Sequence, residues 1–265
     1  MSSNNTTALI TGASAGIGAC FARFLAAQGH DLLLVARREQ RLQELATELR
    51  AQYGIRCEIL AADLTDRQAP KAIMDYATEQ GLEIDVLINN AGLSGKTAFS
   101  ETPWDILDAE LQLMVTAVTE LAHRVLPGMR ARGFGRIINL SSIAALSPPG
   151  GSLLYSGIKS YVFLMSQSLD MELKPYGIHV TALCPGFTHS EFHDVMGTRD
   201  AANHLPGILW QEPEAVVKEG WHAVNKGQPV CVPGTVNKLL AASMRPIPTR
   251  IQYFLGKTFN PFKES

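Results

Sequence analysis

The sequence predicts an α/β fold: a doubly wound parallel sheet with helices on both faces. Three observations carry that expectation. Short apolar runs alternate with longer amphipathic ones along most of the chain, the pattern of parallel strands joined by crossover helices. The short runs are apolar at nearly every position, as strands covered on both faces must be. The first of them leads directly into a turn dense in glycine, TGASAGIG at residues 11 to 18.

The elements follow in order. Strands are expected at residues 7 to 11 (TALIT), 31 to 36 (DLLLVA), 57 to 63 (CEILAAD), 85 to 90 (DVLINN), 136 to 142 (RIINLSS) and 179 to 185 (HVTALCP), with 229 to 233 (PVCVP) closing the series. Between the second and third, EQRLQELATELRAQY at 39 to 53 sets Leu42, Leu45 and Leu49 on one stripe with charges opposite, which makes an amphipathic helix. The cluster SPPGGS at 147 to 152 reads as a loop before a helix that holds Tyr155. No repeat, low-complexity tract or linker divides the chain, so residues 1 to 265 are read as one domain.

Composition narrows the function classes. With 46% hydrophobic residues, 18% charged residues and a formal net charge of -2, the chain has an ordinary core and no field that would attract nucleic acid. The polar start MSSNNTTALI lacks the features of a secretory signal and no run reaches membrane-spanning length, so a cytoplasmic protein is expected. Cys20, Cys57, Cys184 and Cys231 are scattered, which suits reduced thiols better than a zinc site or a disulfide framework. His189 and His193 in HSEFH depart from the zincin pattern, because Ser190 stands where glutamate is required, and no metal is expected.

The C-terminal segment, about 235 to 265, differs from the rest. From Asn237 to Lys263 it carries Lys238, Arg245, Arg250, Lys257 and Lys263 with no acid, and Pro246, Pro248 and Pro261 interrupt it. Packing of its apolar side onto its own domain is the favoured reading. Contact with an anionic membrane is the lesser one.

The glycine turn points to a phosphate ligand. Gly12, Gly16 and Gly18 fall between a strand and a helix, where glycine permits positive φ and close backbone approach, and the helix start offers free N-H groups to a pyrophosphate. Ser14 and Ile17 lie in the same turn and count with it. The spacing G-x-x-x-G-x-G is neither the common G-x-G-x-x-G nor a P-loop. At the end of the second strand, VARR offers Ala36 in place of an acid, followed by Arg37 and Arg38. A ribose 2′-hydroxyl is usually met by a carboxylate there and a 2′-phosphate by positive charge, so NADP(H) is favoured over NAD(H), with Arg37 ranked ahead of Arg38. Further along, YSGIK sets Tyr155 and Lys159 four positions apart, on one face of a helix.

Six motifs in order resemble the short-chain dehydrogenase/reductase family of the compact, single-domain, Rossmann-like type: TGASAGIG (11 to 18), ADL (62 to 64), NNAG (89 to 92), NLSS (139 to 142), Tyr155 with Lys159, and PGFTHS (185 to 190). The resemblance spans about residues 6 to 205. It implies an oxidoreductase interconverting a carbonyl and an alcohol. Tyr155 is then the acid and base, aided by a phenolate-stabilising charge on Lys159, and Ser142, thirteen positions before Tyr155, holds the substrate oxygen. Lys159 would also meet the nicotinamide ribose. Ser141 is taken as structural, since strand alternation turns it away.

The resemblance assigns other positions too. It places Asp63 and Leu64 at the adenine, Asn90, Ala91 and Gly92 at the ribose, and Pro185, Gly186 and Thr188 at the carboxamide, with Ser190 at a usual threonine position. It implies pairing between subunits, as homodimer or homotetramer, through two long helices at about 105 to 131 and 153 to 175. One departure stands out: Met114, thirteen positions before Pro127, occupies the place of an asparagine that supports a water-linked proton route, and Gln112 is expected to face elsewhere on the helix. A substrate-loop region at about 187 to 212 carries Phe192, Val195, Met196, Leu205, Ile208, Leu209 and Trp210, which suggests a small apolar carbonyl or alcohol substrate. The alternative is a non-catalytic NADP(H)-binding regulatory or interaction protein.

Overall fold

The computed structural model describes residues 6–93, 99–147, 153–189, 207–244, 248 and 250–251. Its strands are β1 (Thr7–Thr11), β2 (Asp31–Ala36), β3 (Cys57–Ala61), β4 (Ile84–Asn89), β5 (Gly135–Leu140), β6 (Ile178–Leu183), the two-residue β7 (Phe187–Thr188) and β8 (Trp210–Gln211), and β9 (Val230–Cys231). Its helices are α1 (Gly16–Ala26), α2 (Glu39–Tyr53), α3 (Ala69–Glu79), α4 (Trp104–Leu111), α5 (Ala117–Arg132), α6 (Leu153–Leu173), α7 (Pro213–Asn225) and α8 (Thr235–Met244). Seven strands form one sheet in the order β3-β2-β1-β4-β5-β6-β9, every neighbouring pair parallel, while β7 and β8 pair separately.

The apolar strands bury both faces as their composition requires. In β1, Ala8 and Ile10 enter one core layer and Leu9 the other; in β2, Leu32 and Leu34 oppose Leu33 and Val35. One layer is closed by α1, α2 and α7, the other by α3, α5 and α6. Leu42, Leu45 and Leu49 of α2 are all buried, as the helical stripe predicts. The chain order reverses between β1 and β4, which opens a crevice at their carboxyl ends, the usual ligand position in sheets of this kind.

The observed strands stop short of several expected ends. β3, β5 and β6 finish at Ala61, Leu140 and Leu183, because beyond them the chain leaves the ladder to line the crevice. Within the seven-stranded sheet β9 is shortest, pairing only at Ala182 and Leu183 of β6. The helix expected near 105 to 131 is interrupted by a π turn over Gln112–Thr116 between α4 and α5.

Polar side chains cross the middle of the sheet, among them Asn89 of the NNAG motif, whose asparagines could be expected to steady the sheet. Asn89 Nδ2 donates to the Val118 carbonyl at 3.2 Å and to Asn139 Oδ1 at 2.9 Å, and Asn139 Nδ2 donates to Ser166 Oγ at 3.0 Å. All three side chains are buried. The bonds tie β4, β5 and α6 together and fix their register more narrowly than apolar contact would. Ser166→Ala leaves the Asn139 amide without that acceptor, so urea unfolding should show a loss of about 1–3 kcal/mol. A loss below about 0.5 kcal/mol, the ordinary range for surface changes, would mean the network adds little.

Candidate active site

The glycine turn has the geometry its sequence implied. Gly12 and Gly16 hold φ of +65° and +53°, in the left-handed region that disfavours other residues. Gly18 is needed for space, since a Cβ there would strike the Gly12 carbonyl and the Asn90 amide. Asn90 braces this approach: its Nδ2 donates to the carbonyls of Thr11 at 3.0 Å and Gly12 at 3.2 Å. Thr11 Oγ1 accepts from the backbone N-H of Asn90 at 3.0 Å and of Ala91 at 3.1 Å. Among the described residues no side chain caps the start of α1, which leaves its first N-H groups open to an anion. Ile17 is partly buried and packs on the core.

The two arginines at the end of β2 have different partners. Arg38 reaches Ser14 Oγ through Nε at 3.2 Å and Nη2 at 3.1 Å. Arg37 lies 4.0 Å from Asp63 Oδ2. Arg38 therefore makes the closer contact with the glycine turn, because α2 begins just after it and turns its side chain back over Ser14. Asp63 folds its carboxylate onto Thr65, accepting from the backbone N-H at 3.0 Å and Oγ1 at 2.9 Å, and Leu64 is buried beneath.

At the far end of the crevice, α6 is fastened to the end of β5. Ser141 Oγ donates to the Lys159 carbonyl and Lys159 Nζ donates to the Leu140 carbonyl, each at 2.8 Å. Ser142 faces the crevice, as strand alternation from Ser141 requires. It caps the short turn Ile143–Ala145 by accepting from the Ala144 N-H at 3.1 Å, and its hydroxyl is near enough to Tyr155 to favour the phenolate. Lys159 Nζ lies 5.5 Å from the Tyr155 ring centroid.

The electrostatics correct one expectation. Tyr155 does not have a lowered pKa in the protein by itself: burial raises it, and the Ser142 hydroxyl opposes that only in part. Burial also pushes Lys159 down to about 8. Both charged forms are thus disfavoured together, since each would be taken out of water. Burial likewise holds the thiols of Cys20, Cys57, Cys184 and Cys231 near 12, which makes them unreactive.

Met114 sits in the π turn close to this pair. A Cβ added to Gly92 would lie 3.6 Å from Met114 Sδ and 4.0 Å from Lys159 Nζ, so the three meet at one spot. Gln112, two residues before Met114, is buried too. The π turn winds fewer degrees per residue, so Gln112, Leu113 and Met114 are all buried, and neither amide atom of Gln112 has a hydrogen-bond partner among the described residues.

Pro185 and Gly186 close the crevice opposite Asn90. The Ile143 N-H donates to the Pro185 carbonyl at 3.0 Å, and buried Thr188 donates through Oγ1 to the Gly186 carbonyl at 3.2 Å. Trp210 stacks on His189 at 4.6 Å and leans on Phe187 at 5.7 Å, forming an aromatic wall beside Thr188. Ser190, Phe192, His193, Val195, Met196, Leu205 and most of the basic tail beyond Met244 lie outside the described residues. Among the described residues no group of acids, histidines and cysteines could hold a metal, and no helix is long and apolar enough to cross a membrane.

Comparison with known proteins agrees with this arrangement. The short chain dehydrogenase family model matches residues 6–200. A short-chain dehydrogenase from Sphingobium yanoikuyae, solved in complex with NADPH, is 34% identical with a TM-score of 0.80, over 92% of this chain and 96% of that one. The bulky-bulky ketone specific alcohol dehydrogenase from Comamonas testosteroni is 31% identical with a TM-score of 0.77, over 93% and 96%. A very-long-chain 3-oxoacyl-CoA reductase from Anas platyrhynchos is 34% identical over 71% of this chain, a match that spans only 61% of that relative's length. Matched over most of its length and alike in fold to a solved member, the chain belongs to the short-chain dehydrogenase/reductase family of oxidoreductases.

Proposed function

We propose that this chain is an NADP(H)-dependent reductase of apolar aldehydes or ketones, reversible as an alcohol dehydrogenase, working as one domain and as a homodimer or homotetramer. The observation that carries the reading is the convergence of Tyr155 and buried Lys159 beside Ser142, where α6 is fastened to the end of β5: Lys159 Nζ lies 5.5 Å from the Tyr155 ring centroid and is bound to the Leu140 carbonyl. The relatives that bind NADPH or act on bulky ketones support it. Exposed Trp104, Tyr161, Leu164 and Met171 on α4 and α6 favour self-association.

The residues present fit the cofactor. Gly12, Ser14, Gly16 and Gly18 with the uncapped start of α1 would take the pyrophosphate, and Arg38 with Arg37 the 2′-phosphate. Asp63 and Leu64 would border the adenine, Asn90, Ala91 and Gly92 the ribose, and Pro185, Gly186 and Thr188 the carboxamide. Bound NADPH supplies the hydride. Ser142 and Tyr155 then hold the substrate oxygen between two hydroxyl donors, and Tyr155 gives its proton to that oxygen as negative charge develops there. The raised pKa keeps Tyr155 protonated, which suits the reducing direction. Lys159, held by the Leu140 carbonyl, keeps α6 seated and presents its ammonium beside Gly92. The aromatic wall at Phe187 and Trp210 suits an apolar substrate.

Three measurements test this reading. Tyr155→Phe should lower kcat by roughly 100-fold or more while NADPH affinity stays within about twofold; a variant that turns over like wild type removes Tyr155 from the chemistry. Arg38→Ala and Arg37→Asp should each weaken NADPH binding, Arg38→Ala by about tenfold or more, and leave NADH unaffected. A wild type that prefers NADH overturns the assignment. The third concerns pH. Lys159 holds a folded value of about 8 against an ordinary 10.5, so between these the unfolded chain binds the proton that the folded one has released. Stability should rise with pH through that window, and the cost of burying the charged amine is fully present below it. In urea unfolding without ligand, wild type minus Lys159→Met should therefore increase from pH 8 to pH 10.5; a flat or falling difference contradicts it.

A further inference from the structure

We infer that Asn237, on α8, is a positioning residue that sets the Pro185–Gly186 turn for the nicotinamide end of the cofactor; this deepens the cofactor reading above and rests on it. Asn237 is buried on the inner face of α8, one turn before buried Ala241. Its Nδ2 donates to Gln211 Oε1 at 2.8 Å and to the Pro233 carbonyl at 3.3 Å. The amide lies flat against Gly186: a Cβ there would come within 2.5 Å of Nδ2 and 2.8 Å of Oδ1. Glycine at 186 thus answers a need for space, and what claims the space is the Asn237 amide.

The turn is held from several sides. Ile143 grips the Pro185 carbonyl from the side of Ser142, Thr188 closes back on the Gly186 carbonyl, and the His189 N-H donates to the Gln211 carbonyl at 3.0 Å. Gln211 is shared: its backbone holds the strand leaving the turn, and its side chain binds Asn237 and fills the space over Gly234. One amide on α8 therefore fixes the height of Gly186 directly and the exit of the turn through Gln211. A misplacement of about 1 Å at a reacting group can lower a rate by roughly a hundredfold, so this support matters for hydride geometry rather than for the adenine end.

The test separates the two ends of the cofactor. The ligand 2′,5′-ADP carries the adenosine and the 2′-phosphate and no nicotinamide. For Asn237→Ala and for Gly186→Ala, kcat with NADPH and an apolar ketone should fall about fivefold or more, while the Kd for 2′,5′-ADP stays within about twofold of wild type. Gln211→Leu, at a half-buried position on β8, should show the same split more weakly. A kcat within about twofold of wild type in Asn237→Ala overturns the inference, whatever happens to Tm. If Asn237→Ala loses both properties together, Gln211→Leu decides: a split there supports the inference and a parallel loss or no change overturns it. A wild-type chain that fails to bind 2′,5′-ADP instead removes the cofactor reading, and this inference with it.

Discussion

Two hydrogen bonds running in opposite directions, Ser141 to the Lys159 carbonyl and Lys159 to the Leu140 carbonyl, fasten α6 to the end of β5. The candidate chemistry depends on this one junction. It fixes the height of the helix against the strand, and that height brings Tyr155 onto Ser142. Adjacent residues of the strand divide the labour: Ser141 turns inward to anchor the helix and Ser142 turns outward to the crevice. The buried line from Asn89 through Asn139 to Ser166 supports the same junction from below, holding β4, β5 and α6 in one register.

The opposite wall of the crevice depends on close approach rather than on anchoring. The glycine turn can press against β4 because Gly12 and Gly18 have no side chain to stand in the way, and the Asn90 amide fills the gap with hydrogen bonds to the Thr11 and Gly12 carbonyls. Backbone carbonyls are thereby satisfied by protein, while no side chain caps the N-H groups at the start of α1. An anion at that place meets donors, and the two arginines following β2 extend the positive surface to where a second phosphate would lie.

Burial acts on Tyr155 and Lys159 in the same sense, holding both closer to neutral than their ordinary values. A phenol that keeps its proton is an acid in waiting, whereas a base at neutral pH needs a neighbouring positive charge to draw the proton off. Met114 adds a thioether at the place where Gly92 and Lys159 meet, and the lysine ammonium donates its hydrogen bond to the Leu140 carbonyl. The π turn that carries Met114 also buries Gln112, two residues earlier.

Much of this was legible in the chain alone. Sheet composition, the helix at Leu42, Leu45 and Leu49, the glycine turn, the paired arginines and the spacing of Ser142, Tyr155 and Lys159 are all local patterns, set by backbone periodicity and by side chains within a few turns of one another. Other features were not legible because their partners lie far apart in sequence. Arg38 turning back to Ser14, Asn90 reaching the Thr11 carbonyl and Asn237 lying against Gly186 are separated by 24, 79 and about 50 residues, and only the packed sheet brings them together. The shift of Tyr155 away from an easy proton acceptor belongs to the same class. The residue types and spacings determined which groups could do the chemistry; desolvation, which exists only once the core has closed around those groups, decided how readily each gains or loses its proton.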